Sequence, residues 1–276
     1  MKRFFLIKAA ALAISATMAF SMDASARGDE NHPWNGARVA IFGDSISDPR
    51  TNNGEQKYYW FMHNDIGIIP YVYAENGREW NRVPVQAGRL YKEHGQDFDA
   101  IMILMGTNDF NSGIPIGKWF DEEITQVEAA KGGEPRTVQT RRHRIMSFDS
   151  NTLCGRINIA MDSLRRAFPG KQIILMTPLH RGKADFGDNN LQPDENYTNS
   201  CGEYVDAYVN AVKEAGNVWS VNVIDLNAIS GLLPLCESQR VYFPIDTDKL
   251  HPSTEGHRRI ADALIAALRS IAPRLD

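Results

Sequence analysis

The chain has 276 residues, 43% of them hydrophobic, and a formal net charge of −4. That length suits one large α/β domain, and that apolar share supports a packed core rather than wholesale disorder. The mild acidity gives no electrostatic reason to expect nucleic acid or an anionic membrane surface as a partner.

The chain begins with Lys2 and Arg3, followed by an apolar stretch from Phe4 to Phe20 that a single charge, Lys8, interrupts. Ala24-Ser25-Ala26 then supplies small residues. This is the pattern of a secretory signal cleaved after Ala26. The stretch is short for a membrane anchor, and no later segment is long enough to span a bilayer. No cysteine lies near the cleavage site to carry a lipid. Residues 1–26 therefore read as a signal peptide, 27–37 as a linker and 38–276 as one domain. Removal of Lys2, Arg3, Lys8 and Asp23 with the signal leaves about −6 on the exported remainder.

Short apolar runs alternate with helical patterns along that domain. Val39 to Phe42 reads as a buried strand. Tyr58, Met62 and Ile66 recur at every fourth position and predict a helix. Pro70 to Tyr73 is a second strand. Val85 to His94 is a helix ended by Gly95. Ile101 to Met105 is apolar at every residue, as expected for a strand covered on both faces. Residues 151–168 form a helix stopped by Pro169-Gly170, and Ile173 to Met176 a fourth strand. Glu203 to Ala215 reads as a helix closed by Gly216, and Val221 to Leu226 as a fifth strand. The last helix carries Ile260, Leu264, Leu268 and Ile271 on one stripe.

Five strands separated by helices imply an α/β fold, a single doubly wound domain with a five-stranded parallel sheet flanked by helices. Ligands in such sheets bind beyond the carboxyl ends of the strands. Ser45, Gly77 and Asn108 each lie just past such an end, and His251 lies in the loop before the last helix. Two stretches without strong periodicity, Asn111 to Phe148 and Pro178 to Ser200, are expected to wall that rim as loops.

Together these residues supply the parts of an acyl-transfer centre. A serine hydroxyl is a poor nucleophile until a base takes its proton, and His251 can do so. Asp248, three residues upstream, can fold back onto the other ring nitrogen and fix the tautomer. The N–H groups of Ser45 and Gly77 and the amide of Asn108 can donate to a developing oxyanion. Each residue also has a plainer use. Ser45 suits a helix N-cap, Asn108 and Gly77 suit turns, and Asp109 suits a cap. Asp246 is a second carboxylate near His251. His180 and Arg181 follow the fourth strand and are candidate substrate contacts, with Asn189 beyond them. The cluster Arg141 to Arg144 reads as a solvated face, and His257 as a surface or packing residue. Trp60, Trp80 and Trp119 suit the core, or else stacking on a sugar. Cys154, Cys201 and Cys236 show no CxxC spacing. Their odd number leaves at least one free thiol, and a Cys201–Cys236 bridge stays open.

Gly43-Asp44-Ser45, Gly106-Thr107-Asn108-Asp109 and Asp248-Lys249-Leu250-His251-Pro252 stand in the order of the blocks of the SGNH (GDSL) hydrolases, which the chain resembles from Val39 to about Ile271. The family's second block is matched only loosely, by Tyr71 to Gly77, with Gly88 as the other glycine that could serve. The resemblance implies a flavodoxin-like SGNH hydrolase fold. It implies a serine esterase working through Ser45, His251 and Asp248, with no cofactor and no metal. It also implies an oxyanion hole from Ser45, Gly77 and Asn108.

The resulting expectation is an exported, periplasmic or secreted, esterase acting on a small-molecule or glycan ester, with short acyl groups such as acetyl on carbohydrate. Three rivals are a lipase or lysophospholipase, an O-acyltransferase and a non-catalytic glycan-binding module. N-terminal sequencing of the protein recovered from an exporting host is expected to begin at Arg27; a chain that retains Lys2 and Arg3 would overturn the signal reading.

Overall fold

The computed structural model describes residues 28–51 and 55–274. The expected signal segment, residues 1–26, lies outside them. In chain order the described elements are β1 (Arg38–Gly43), α1 (Tyr58–Ile66), β2 (Ile69–Val72), α2 (Val83–His94), β3 (Ala100–Leu104) and α3 (Thr107–Asn111). They continue with β4 (Phe120–Ala129), β5 (Thr137–Met146), α4 (Leu153–Ala167), β6 (Gln172–Met176), β7 (Ala184–Asp185) and β8 (Leu191–Gln192). The last are α5 (Val205–Trp219), β9 (Asn222–Ile224), α6 (Leu226–Ile229) and α7 (Thr254–Leu268).

Burial on both faces explains the main sheet. Every residue of β3 is buried, and successive side chains point to opposite layers. Ile101 and Ile103 pack with Leu164 of α4 and Val212 of α5. Met102 and Leu104 pack with Met62 of α1 and Ile260 and Leu264 of α7. The five strands run in the order β2-β1-β3-β6-β9, and all their pairings are parallel. The chain steps outward from β1 to β2 and then returns to the other side of β1 for β3. This reversal is the switch point at which open α/β sheets bind ligands. The expected doubly wound α/β architecture is therefore the one observed.

Several local expectations are corrected. The stretch from Asn111 to Phe148 is not a loop throughout. Its centre is a long antiparallel hairpin, β4 paired with β5 from Phe120↔Met146 to Ala129↔Thr137. Its residues carry charge rather than an alternating apolar face, so no period of two marks them. Glu122 pairs with Arg142 at 3.6 Å and Glu123 with His143 at 3.1 Å across the ladder, which gives the ribbon polar cross-strand pairs in place of a core. Arg141 to Arg144 is thus an exposed strand segment. Gly216 does not end its helix. It lies inside α5, where an added Cβ would come within 2.4 Å of Val223 Cγ2, so its bare backbone lets β9 pack close. Ile271 lies beyond the end of α7. Trp80 and Trp119 are core residues. His257 is fully buried and stacks on Tyr58. Cys154, Cys201 and Cys236 are all free thiols, so the Cys201–Cys236 bridge is absent.

Ile103→Ala is expected to cost about 2–5 kcal/mol, through lost transfer energy and a cavity that the packed layers cannot close. Ile124→Ala, at a side chain 76% exposed on the hairpin, should change stability by less than about 0.5 kcal/mol. Urea unfolding of the two variants checks both; equal losses would contradict the assignment of the core.

Candidate active site

The site starts from a tight turn rather than from a helix cap. After β1 the chain makes one turn, with the N–H groups of Ser47 and Asp48 donating to the Asp44 carbonyl at 3.1 and 2.9 Å. Among the described residues, no helix follows until α1. Gly43 is clamped by Gln86 of α2, whose Oε1 accepts from Gly43 N at 3.1 Å and whose Nε2 donates to Gly43 O at 2.8 Å. A Cβ on Gly43 would meet Leu104 O and Ser47 Oγ at 2.9 Å each, so only glycine lets this strand end lie against β3. The turn presents Ser45 at the rim with its side chain nearly buried.

His251 is delivered from the opposite end of the chain. Asp248 Oδ1 accepts from the backbone N–H groups of Leu250 and His251 at 3.1 and 3.0 Å. Its Oδ2 accepts from His251 Nδ1 at 2.8 Å. That bond leaves Nε2 as the acceptor, and the Ser45 hydroxyl donates to it at 2.8 Å. Two residues on, Ser253 Oγ caps α7 by accepting from Gly256 N. The loop that carries the histidine is thereby anchored on both sides. Burial alone would raise the Asp248 carboxyl. The His251 hydrogen bond and charge, with the two backbone donors, outweigh it and hold the group below the usual carboxylate range.

Ser45, Gly77 and Asn108 line one cavity, and each brings a hydrogen-bond donor to it. Gly77 has φ +70°, a conformation that favours glycine, and lines the same cavity as Ser45, Asn108 and His251. Among the described residues, nothing accepts from the backbone N–H groups of Ser45 or Gly77. Asn108 Nδ2 spends one hydrogen on the Arg78 carbonyl at 3.1 Å, which orients the amide and leaves the second hydrogen free. Gly88, the other candidate, lies on an exposed turn of α2 and does not line the cavity.

Buried carboxylates that the sequence reading left without a role hold these loops in register. Asp48 Oδ2 accepts from Asn76 N at 2.8 Å, tying the Ser45 turn to the Gly77 loop. Asp109, expected only as a cap, is fully buried; it accepts from Trp80 N and from Arg156 of α4, both at 3.0 Å. Burial pushes Asp109 up to about 6 and Asp44 up to about 7. Asp44 directly follows the apolar run of β1, whereas Asp48 and Asp109 stand five residues beyond the ends of β1 and β3, where nothing in the pattern marks them as buried.

The cavity has a volume of about 540 Å³. Thr51, Asn76, Asn111, Ser112, Asn190 and Gln192 form polar walls, and among the described residues only Phe186 and Leu250 are apolar in its lining. The two expected wall segments thus contribute just a few residues each, and the β4–β5 hairpin contributes none. A cavity of similar size at the hairpin base, beside Lys118, Asp121 and Phe148, holds none of the expected site residues.

Other expected contacts fall elsewhere. Arg181 is fully buried; it donates to Thr107 O and Oγ1 at 3.2 Å and to Gln192 Oε1 at 2.7 Å, so it braces the walls from behind. His180 pairs with Glu195 at 2.9 Å and does not line the cavity. Asn189 is exposed outside it, whereas its neighbour Asn190 lies inside. Asp246 is held on the surface by Arg240 at 2.6 Å. Among the described residues, no group of three or more His, Cys, Asp or Glu is placed to hold a metal ion.

Comparison with known proteins places this geometry in a family. The model of the GDSL-like lipase/acylhydrolase family matches residues 41–259. One solved structure superposes with a TM-score of 0.67 at 22% identity, covering 87% of this chain and 99% of its own. A protein from Lactobacillus plantarum gives 0.65 at 22%, covering 86% and 98%. A possible lipase from Chitinophaga pinensis gives 0.59 at 20%, covering 85% and 98%. A search of curated proteins finds no match. The chain belongs to the GDSL-like lipase/acylhydrolase family and is a hydrolase acting on ester bonds.

The raised pKa of Asp44 has a measurable consequence. Between the unfolded value of about 3.9 and the folded value of about 7, the folded chain holds a proton that the unfolded chain has lost. This group's contribution to stability therefore falls as pH rises through that window. Asp44→Asn keeps the acceptor for Ile46 N, 3.0 Å away in the native turn, but does not titrate. Its Tm relative to the parent should climb steadily from pH 4 to pH 7; a difference independent of pH would show that Asp44 does not titrate there.

Proposed function

We propose that the chain is an exported serine esterase that releases short acyl groups, acetyl foremost, from carbohydrate through an acyl-enzyme. The observation that carries the mechanism is the unbroken line from Ser45 Oγ through His251 to Asp248, with 2.8 Å at each link, beside three unspent donors. In this reading Ser45 Oγ attacks the ester carbonyl carbon while its proton passes to His251 Nε2. Asp248 keeps Nδ1 protonated and stabilises the imidazolium. The carbonyl oxygen takes up negative charge between the N–H groups of Ser45 and Gly77 and the free N–H of Asn108. Collapse breaks the C–O bond of the alcohol, which leaves with the proton from His251. Water then attacks the acyl-enzyme, gives a proton to His251 and releases the acid, and the proton returns to Ser45.

The polar walls support the substrate class. A long acyl chain gains about 0.8 kcal/mol per buried methylene, and Phe186 and Leu250 alone offer no continuous apolar groove for it. A hydroxyl-rich alcohol finds amides and hydroxyls at Asn76, Asn111, Ser112 and Gln192. Export is supported by the Lys2-Arg3 start and the Ala24-Ser25-Ala26 end of the N-terminal segment.

Asn108→Ala should leave the fold intact and lower kcat by about two to three orders of magnitude with little change in KM, because charge appears at the amide mainly in the transition state. Near-normal turnover in that variant would remove Asn108 from the oxyanion hole.

For nitrophenyl esters of about two to twelve carbons, kcat/KM should peak at acetyl or another short acyl group and decline with length. A steady rise along the series would replace this reading with a lipase.

A further inference from the structure

The cleft does not end at Thr51 and Asn76. Both residues also line a second cavity of about 340 Å³, shared with Asp48, Arg50, Glu75 and Arg78. This side lobe is polar in a particular way. Asp48, 2% exposed at its side chain, grips Arg50 by a two-point pair, Nε to Oδ1 and Nη2 to Oδ2, each 2.8 Å. Glu75, 11% exposed, accepts from Arg78 Nε at 2.9 Å and from Arg89 at 2.6 Å. Each carboxylate is thus held inside, and each lining guanidinium is fixed by one edge. Among the described residues, nothing accepts from Arg50 Nη1 or from Arg78 Nη1 and Nη2. The lining sets two guanidiniums against two carboxylates, and Arg89, outside the lobe, takes up part of Glu75, so the N–H groups left to a ligand are those of Arg50 and Arg78.

We propose that this lobe is a carboxylate-binding subsite of the ester cleft, and that the substrate is an ester carrying a carboxylate close to the scissile bond. The inference rests on the serine-esterase reading above and adds the charge of the substrate. A planar carboxylate matches the free N–H groups of fixed guanidiniums, which are ordered before binding and lose little freedom on it. The cleft itself supplies the path, because Asn76 precedes Gly77 and Thr51 follows the Ser45 turn on the same wall. The acid can belong to the alcohol, as in an acetylated uronate, or to the acyl group, as in a monoester of a dicarboxylic acid.

The test compares matched pairs of substrates. One pair is acetylated galacturonate oligomers against acetylated neutral xylose oligomers. The other is nitrophenyl hemisuccinate against nitrophenyl butyrate. The acidic member of one pair should have the higher kcat/KM, with the advantage mostly in KM, and the pair that shows it identifies the acid's position. Arg50→Gln and Arg78→Gln should each cut the acidic-to-neutral ratio about tenfold to a hundredfold, the scale of a lost charged hydrogen bond. Arg50→Lys, which keeps the charge but not the fork, should retain part of it. Arg50 is 67% exposed, and Asp48 keeps its bonds from Arg50 N and Asn76 N, so these variants should fold. If nitrophenyl acetate is cleaved and Ser45→Ala abolishes it, but neither acidic member is preferred or the ratio ignores Arg50, the subsite is refuted and the esterase stands. If nitrophenyl acetate itself is not cleaved, the esterase reading fails first.

Discussion

The parallel pairing of β1 with β3 is the constraint on which the rest of the molecule depends. Its register sets Gly43 opposite Leu104, so the two strands end side by side. The Ser45 turn and the Asn108 helix then emerge next to each other with no long-range search by their loops. A slip of one residue would turn Ile101 and Ile103 into the wrong layer and Met102 and Leu104 into the other. The apolar contacts on both faces therefore hold the site in register, although none of them touches it.

Around that seam the protein buries carboxylates that would each be costly alone. Asp48, Asp109 and Asp248 all accept backbone N–H groups, and Asp48 and Asp109 also hold an arginine. Asp48 joins the Ser45 turn to the Gly77 loop and Asp109 joins that loop to α3 and α4, while Asp248 fixes His251 within its own loop. The same design leaves selected donors unspent. Ser45 N, Gly77 N and one hydrogen of Asn108, all on residues that line the cavity, have no acceptor within the described residues. Donors oriented before reaction cost no reorganisation when charge develops, which is the physical basis of oxyanion stabilisation.

The wall composition divides the cleft into parts with different chemistry. The floor carries the serine, the imidazole and the three donors. The walls are amides and hydroxyls, braced from behind by fully buried Arg181 through Gln192. The edge at Thr51 and Asn76 opens toward fixed guanidiniums. Burial separates the two arginines: Arg181 is enclosed behind the walls, whereas Arg50, 67% exposed, lies over the buried Asp48 carboxylate.

Local pattern carried most of the fold. The all-apolar run at Ile101 to Met105 and the fourfold spacing of Tyr58, Met62 and Ile66 declare a doubly covered sheet and its helices, because burial is periodic in the backbone itself. Ser45 and Asn108 were legible because they follow strand ends that the apolar runs mark, and Asp248 and His251 because they stand three apart just ahead of the last helical stripe. The β4–β5 hairpin was not legible, since its strands are stabilised by cross-strand charge pairs that leave no apolar period. Gly216 misled because a glycine that ends a helix and one that admits a neighbouring strand look alike in one dimension. The roles of Asp48, Asp109 and Arg156, the burial of Arg181 and the lobe beside Arg50 were decided only by tertiary structure. Each depends on which distant segment supplies the hydrogen-bond partner, and a side chain's cost or use in a protein interior is set by that partner rather than by its own identity.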